Sequence, residues 1–405
     1  MESPPEQLSV FATSTAELLQ HFIATEQHTE SSLNILDLDV IVRNYQGWSA
    51  RFPFAIPYFL PSVNNHSTVL ALLTQLGLGF SCASVEEMRA ALSSGASPDR
   101  IILAHPAKSP DTILYAKQRD IQRIVCDSAQ EITKVQRLYP AAKIILRIRL
   151  CSTQKFGCCP DNDVRDILHH IKSTETVTID GIHIAIPQQS DLLLGETLQK
   201  AILIGRDAIQ LAHMVGLPAI QELVLSGTDN VPSEQLQQMM AELNLNLDVP
   251  FPRLIIETER QLVESAVTLL TSVQSKRVIR QGGTAGPIQE IMYFINDGRY
   301  GSFEWWNTVD KRPAVIRSNG TVLPPGPTHP TSLWGQSCDS ADIVCERIEL
   351  PELEIGDYLV FPGMGAYGVT LASRFNGFPI PETVVCAGLE STRALIGGTG
   401  ARWLS

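Results

Sequence analysis

Two ionisable side chains, Glu257 and His183, lie in short apolar runs that predict buried β-strands. Glu257 ends the run at 254–257, and His183 precedes Ala185 by two residues, so His183 and Ala185 face the same side of their strand. A buried carboxylate can have a raised pKa and act as a general acid or base. Arg260 could hold or polarise an anionic group. Structural roles stay open for each residue: a satisfied core histidine, or a buried salt bridge between Glu257 and Arg260.

The elements that must position these residues alternate along residues 35–260. Short apolar runs alternate with amphipathic stretches, which is the pattern of βα units on a parallel barrel or sheet. Strands are predicted at 101–104, 123–126, 143–148, 181–185 and 254–257, and helices at 85–92, after the N-cap Ser84, and at 192–215. The first half of the chain is therefore expected to be an α/β barrel.

After about residue 262 the pattern changes to strands and turns. Residues 263–278, 348–361 and 369–372 predict strands, and the proline- and glycine-rich residues 321–330 predict a loop. The second half is therefore expected to be an all-β domain that also takes in the N-terminal strand.

Composition excludes several classes of protein. At 405 residues the chain is long enough for two domains. Its net charge of -12 and lack of a long basic run argue against a nucleic-acid or anionic-membrane partner. The N-terminus is acidic and no apolar run reaches the ~18–20 residues that span a bilayer, so a cytoplasmic location is expected. The cysteines lack CxxC spacing, so no metal site is expected.

Ordered motifs from about residue 34 to 392 resemble the eukaryotic ornithine decarboxylase family. They are residues 79–84 (Gly-Phe-Ser-Cys-Ala-Ser), 126–128, 145–148, 155–157, 296–303, 333–339, 363–367 and 375–378. The resemblance implies an alanine-racemase-like (β/α)8 TIM barrel with a C-terminal β-sandwich-like domain. It divides the chain into an N-terminal segment (1–36) that joins the β domain, the barrel (37–262) and the β domain (263–405).

The resemblance also implies roles for residues that match the family's motifs. Glu257 matches the glutamate that holds the pyridine nitrogen of pyridoxal phosphate (PLP), and Arg260 and Tyr367 match residues that hold its phosphate. Cys338 and Asp339 match a pair that reaches into the partner subunit's site. Lys155 and Asp342 match an ion pair between subunits, and Gly365 matches a glycine of the close dimer contact. A homodimer is therefore expected.

Other family positions are lost. Ser62 stands where the family has its Schiff-base lysine, and the chain's first lysine is Lys108, after a later strand. Ala185 replaces the histidine that stacks on the cofactor ring, and Ser81 replaces an aspartate beside it. Residues 228–230, which include Asp229, replace three glycines that let backbone N–H groups approach the phosphate. These losses predict that PLP is not the cofactor and that the chain has no other.

Two functions follow from this pattern of loss and retention. The first, which we favour from sequence, is a repurposed enzyme that uses acid–base catalysis on a small metabolite. Its candidate catalytic residues are Glu257, Cys338, Asp339 and His183, and its candidate ligand-binding residues are Arg260, Tyr367, Ser62, Ala185, Asp229, Trp305 and Trp306. The two tryptophans, with the apolar residues after His183, would suit a ligand more apolar than ornithine.

The second function is that of a pseudoenzyme in polyamine synthesis. The family's antizyme inhibitors are inactive relatives that act by binding antizyme, and residues 107–131 overlap the corresponding antizyme-binding region. This segment contains four basic residues, Lys108, Lys117, Arg119 and Arg123. A regulatory subunit of an active paralogue is a further alternative, in which Cys338 and Asp339 would complete the partner's site.

Overall fold

The computed structural model describes residues 10–11, 14–25, 31–174, 176–187, 194–228, 231–245, 252–304, 312–324, 326–388 and 390–392. The chain divides into two compact units. We call Gln46–Glu259 the barrel unit, and Met1–Tyr45 together with Arg260–Ser405 the sheet unit. None of the helices in the described ranges combines the length and apolar character that crossing a bilayer requires.

The elements follow one another in chain order. The strands are β1 (Val10–Phe11), β2 (Leu33–Asp37), β3 (Ala55–Phe59), β4 (Gly79–Cys82), β5 (Ile101–Leu103), β6 (Arg123–Cys126), β7 (Lys143–Ile148), β8 (Thr178–Ala185), β9 (Glu222–Ser226), β10 (Arg253–Thr258), β11 (Val267–Arg280), β12 (Ile288–Ile295), β13 (Ala314–Ile316), β14 (Thr328–Trp334), β15 (Ile343–Pro351), β16 (Tyr358–Pro362) and β17 (Glu382–Cys386). The helices are α1 (Thr15–Thr25), α2 (Leu38–Arg51), α3 (Ser67–Gln75), α4 (Val85–Ser93), α5 (Pro110–Gln118), α6 (Ala129–Leu138), α7 (Asp163–Thr174), α8 (Leu194–Val215), α9 (Ser233–Leu245) and α10 (Arg260–Val263).

Eight parallel strands, β3 to β10, close into the barrel of the barrel unit, with β10 paired to β3. The predicted (β/α)8 fold is therefore confirmed. Several of the intervening helices begin at serine N-caps, which are Ser84, Ser109 and Ser128. Each serine hydroxyl accepts a hydrogen bond from the backbone N–H three residues later, an interaction that stabilises a helix by about 1 kcal/mol.

A layer of apolar side chains fills the lower part of the barrel. Its buried members are Tyr58, Ile102, Val125, Ile145, Val224 and Ile255. The Tyr58 ring occupies the space of a side chain at Gly79, where a Cβ atom would lie 2.3 Å from the ring. Because alternate residues of a strand face the same side, the residues two positions after this layer form the next one, nearer the carboxyl ends of the strands. This alternation positions the candidate site.

The sheet unit is built around the long strand β11. It pairs antiparallel with β2, β12 and β16, and β2 pairs with β17. Strand β2, from the N-terminal part of the chain, lies in this sheet. The core of the unit includes the fully buried rings of Tyr293, Phe303 and Phe361. Phe303 and Phe361 pack edge to face with their centroids 5.0 Å apart.

Two local predictions for this half are wrong. Residues 328–330 begin β14 and are not a loop. Pro330 is tolerated there because β12 pairs only with Thr331–Trp334, so that β14 has a single hydrogen-bonded neighbour at Pro330. Residues 369–372 form turns and are not a strand, with the Leu371 N–H donating to the Gly368 carbonyl. The apolar residues of this segment are partly exposed instead of packed in a sheet.

Candidate functional site

Glu257 and His183 meet inside the barrel as a buried pair. Glu257 lies on β10 and His183 on β8, with His183 Nε2 3.4 Å from Glu257 Oε2. Burial lowers the pKa of the His183 imidazole, and the neighbouring carboxylate offsets this only in part. His183 Nδ1 is buried without a hydrogen-bond partner among the described residues. The pair is therefore a carboxylate beside a mainly neutral imidazole that has one polar atom left to offer.

Arg147 supplies the positive charge near this pair. It lies on β7, two residues after the apolar layer, and its guanidinium stands over the Phe156 ring at 5.8 Å. Burial alone would raise the pKa of the Glu257 carboxyl, but the hydrogen bond with His183 and the positive charge of Arg147 hold it below its usual value. Glu257 is therefore an anion at neutral pH, which is the form that can accept a proton or hold a cationic group.

The sequence predicts the strand at 143–148 that carries Arg147 but does not identify Arg147 as a site residue. The alternation of β7 could have identified it, because Ile145 and Arg147 face the same side of a strand whose partner β8 carries His183. A charged residue at an inward position of a predicted barrel strand is the signal that the sequence offered.

Ser62 and Ala185 lie where the resemblance places the cofactor's anchor and ring stack. Ser62 is exposed three residues after β3, and Ala185 is the last residue of β8. The Ala185 carbonyl accepts a hydrogen bond of 2.8 Å from the Gln154 side chain. Neither side chain can form an imine or stack on an aromatic ring, and their assignment to these two positions stays a prediction.

Lys108 does not replace the missing amine. Its Nζ donates to the carbonyls of His105, Pro106 and Val125 at 3.1, 3.3 and 2.7 Å. It also forms an ion pair of 3.0 Å with Glu131, and its side chain has no exposed surface. An ammonium enclosed by three carbonyls and a carboxylate is out of reach of a ligand's carbonyl carbon.

In the sheet unit, Arg260 and Tyr367 lie together. The Arg260 guanidinium stands 5.1 Å from the centroid of the Tyr367 ring and 3.6 Å from the Glu264 carboxylate. Tyr367 has a positive φ of 57°, which is an uncommon backbone conformation for a bulky residue. The Arg260 guanidinium and the Tyr367 hydroxyl could together bind an anionic group.

Cys338 and Asp339 form an exposed loop of the sheet unit. The Cys338 N–H donates to the Asn376 side chain at 3.0 Å, and the Tyr300 hydroxyl donates to the Asp339 carboxylate. The Tyr300 ring packs on Phe375 with centroids 4.4 Å apart. The Ala341 backbone N–H and the Tyr300 hydroxyl hold the pKa of Asp339 below its usual value. The loop therefore presents the hydrogen-bonded Asp339 carboxylate next to the exposed Cys338 thiol.

The three residues matched to dimer positions have different surroundings. Lys155 is exposed, with its ammonium 4.9 Å from the Phe156 ring. Asp342 is buried within its own chain and accepts hydrogen bonds from the backbone of Arg299 and Ser337. Gly365 is required locally, because a Cβ atom there would lie 1.8 Å from the Val263 carbonyl oxygen. Intrachain packing thus explains Asp342 and Gly365, and their roles between subunits stay predictions.

Three of the candidate residues, Asp229, Trp305 and Trp306, lie outside the described residues. The apolar ligand that the tryptophans suggested therefore stays a prediction.

Two of the four basic residues in segment 107–131 lie at the surface of the protein. Lys117 and Arg119 are exposed, but Lys108 and Arg123 are buried. Inside the fold, carbonyls and carboxylates accept hydrogen bonds from Lys108 and Arg123, so these two cations are not available to an antizyme-binding surface.

The comparisons with known proteins agree on one family. A model described as "Pyridoxal-dependent decarboxylase, pyridoxal binding domain" matches residues 38–264. Ornithine decarboxylase 2 of Drosophila melanogaster is 31% identical over 371 residues, covering 88% of this chain and 92% of the fly protein. Antizyme inhibitor 2 of Xenopus laevis is 30% identical over 382 residues, covering 89% of this chain and 83% of the frog protein.

A solved structure shows the same architecture. The arginine decarboxylase of Paramecium bursaria Chlorella virus matches with a TM-score of 0.81 and 25% sequence identity, covering 92% of this chain and all of the viral chain. The barrel followed by a separate mixed sheet is thus the fold of these decarboxylases.

These comparisons overturn the prediction that PLP is not the cofactor. That prediction is wrong because the matched model is a pyridoxal-binding domain that spans the barrel. Within the barrel unit, the buried Glu257 carboxylate is suited to a pyridine nitrogen. Ser62 does not fit a covalent link, because it has no amine. The prediction of an enzyme that works without PLP falls with this correction.

Proposed function

Because the chain belongs to the family of pyridoxal-dependent decarboxylases that includes ornithine decarboxylase and antizyme inhibitor, we propose that it is a cytoplasmic pseudoenzyme that regulates polyamine synthesis. The observation that carries the proposal is the absence of an available amine at the cofactor anchor. Ser62 stands at the anchor position, and Lys108 is enclosed by its own fold. Without that amine, the chain lacks the attachment on which the family's decarboxylation depends.

Residues of this chain would still hold PLP without a covalent bond. Glu257 would accept a hydrogen bond from the protonated ring nitrogen. When bound to an enzyme of this family, PLP supplies an electron sink for a developing carbanion. In the proposed pseudoenzyme the bound group stabilises the fold and does not take part in turnover.

The proposed partner surface is the exposed side of α5. Leu114 is 44% exposed there, and Lys117 and Arg119 follow it at the end of the helix. The Tyr115 ring lies within 6 Å of two guanidiniums, those of Arg89 and Arg119. An apolar residue beside a group of cations and an aromatic ring is suited to an acidic protein surface. By analogy with the antizyme inhibitor relative, we propose that this surface binds antizyme.

Reversing two charges on this surface is expected to weaken antizyme binding. The double variant Lys117→Glu, Arg119→Glu should raise the Kd at least about tenfold, since it places two like charges against an acidic partner. Biolayer interferometry with purified antizyme from the same organism measures this change.

The matched control reverses two exposed arginines elsewhere. The variant Arg165→Glu, Arg347→Glu changes the net charge by the same amount and should leave the Kd unchanged. If the wild-type chain shows no saturable binding at micromolar antizyme, the proposed function is wrong. If both double variants weaken binding equally, the α5 surface is not the interface.

We also propose that the protein is a homodimer, with the segment after Gly363 at the interface. Val369, Leu371 and Phe375 are 37%, 43% and 42% exposed in the single chain, and exposed apolar side chains that lie close together mark interaction surfaces. Sedimentation at micromolar concentration should give the mass of two chains, and Leu371→Asp should shift it towards one. The control Ile355→Asp alters an equally apolar residue that is 62% exposed elsewhere and should leave the dimer intact. A wild-type monomer would overturn the dimer.

A further inference from the structure

A cavity of about 580 Å³ lies in the barrel unit, apart from Glu257 and His183. It is lined by the segment that follows β7, by the residues that open α7, and by one side of α8. Its walls include Leu150, Val164 and Ile204, and its polar lining includes Cys151, Cys159 and Lys200. A volume of this size accommodates a small molecule, and typical ligand sites combine apolar walls with a few polar groups in the same way.

The Cys151 thiol is held in a polar part of this cavity. Its Sγ lies 3.1 Å from the Thr153 hydroxyl, and its backbone N–H donates to the Gln154 side chain. Lys200 Nζ donates to the carbonyl of Leu150, the residue that precedes Cys151, at 2.8 Å. The Thr153 hydroxyl and, to a smaller extent, Lys200 hold the pKa of Cys151 below its usual value. The reactive thiolate form is therefore more accessible than in an unperturbed cysteine.

Other cysteines of the chain are protected from reaction. Cys82, Cys126, Cys158 and Cys386 are buried. Burial raises the pKa of each of these thiols, to about 11 for Cys126 and Cys386 and about 12 for Cys158. Cys159 lines the same cavity as Cys151, and its thiol provides a matched comparison within one site.

We propose that Cys151 is a modification site at which a small anionic disulfide is taken up in this cavity. The Cys151 thiolate attacks one sulfur of the disulfide, a new sulfur–sulfur bond forms to Cys151, and the other half leaves as a thiolate. The disulfide is the oxidant, so electrons balance within the exchange. Cations at the cavity, Lys200 and Arg149, would pair with the ligand's carboxylates. The lining also contains two acids, Asp161 and Asp207. Asp207 is paired with Arg206 at 2.7 Å.

The probe for this proposal is glutathione disulfide, a small disulfide that carries carboxylates. Intact mass spectrometry of the wild-type chain should show the addition of one glutathionyl group, and peptide mapping should place it on Cys151. Cys151→Ser should abolish the addition of this glutathionyl group, whereas Cys159→Ser should retain it. Lys200→Gln should slow the addition about three- to tenfold, because less thiolate is present and the ligand loses a cation.

Mapping on the wild-type protein decides the assignment even if a variant folds poorly. If Cys151, Cys338 and Cys345 were labelled equally, solvent exposure alone would explain the reaction, and the proposal would be overturned. A Cys151→Ser protein that reacts at the wild-type rate would also overturn it. The proposal does not depend on antizyme binding, and the two are measured separately.

Discussion

Replacing Arg123 by methionine is expected to lower the free energy of unfolding by about 3–5 kcal/mol. Arg123 lies on β6 inside the lower end of the barrel, and its guanidinium donates to both Glu222 oxygens at 2.9 Å. Only 9% of its side chain is exposed, and 2% of that of Glu222. Arg123 also donates to the Tyr58 hydroxyl and stands 5.2 Å from the centroid of the Tyr58 ring. Its loss leaves a buried carboxylate and a buried hydroxyl without their main partner.

Arg253 does not compensate for this loss. It pairs with Glu222 at 2.8 Å, but 64% of its side chain is exposed, so water screens much of its charge. Urea unfolding of the full chain measures the effect. A double variant, Arg123→Met with Glu222→Leu, removes both charges and should recover part of the lost stability, as expected when no ion is left unpaired.

The matched control removes an ion pair at the surface. Glu86 pairs with Arg89 on α4, where 77% and 55% of their side chains are exposed. Glu86→Ala should change the free energy of unfolding by no more than about 0.5 kcal/mol. If Arg123→Met costs as little as this control, the buried network does not stabilise the barrel in the way that its geometry indicates.

The barrel was predictable from sequence because each of its strands carries a local signal. The run at 143–148, for example, is rich in isoleucine and leucine, and it forms β7 with the same bounds. The errors fall where tertiary context decides. Pro330 can belong to β14 only because of which neighbours that strand has there, and no local pattern reports this. Lys108 and Arg123 look like surface residues until their partners from other strands are known.

The candidate site was partly predictable for the same reason. Glu257 and His183 could be placed inside the barrel by strand alternation, and the structure brings them within 3.4 Å of each other. Sequence alone could not show that they pair, because they lie 74 positions apart on different strands. It also could not show that Asp342 is buried among backbone N–H groups of its own chain. The cofactor prediction is wrong because the family of the whole barrel is a stronger indicator of the cofactor than substitutions at single positions.

Borohydride treatment in the presence of PLP is expected to leave the wild-type chain without a covalent label in the barrel. Ser62 has no amine, and the Lys108 amine donates to three carbonyls and pairs with Glu131. Decarboxylation of ornithine, lysine or arginine should then fall at least about a thousandfold below that of an active relative. This figure corresponds to the loss of about 4 kcal/mol of transition-state stabilisation.

The variant Ser62→Lys provides the positive control. Residue 62 is exposed in a turn after β3, so a lysine there fits without entering the packed barrel interior. This variant should gain one borohydride-stable label that maps to residue 62. An unlabelled variant would show that residue 62 does not face the cofactor's aldehyde, and the assignment of the anchor would be wrong. A wild-type protein labelled at Lys108, or at any other barrel lysine, would instead overturn the pseudoenzyme, because an available amine would then exist. Activity in the variant is not required for either conclusion, since the label reports the position of the aldehyde and not the rate of the reaction.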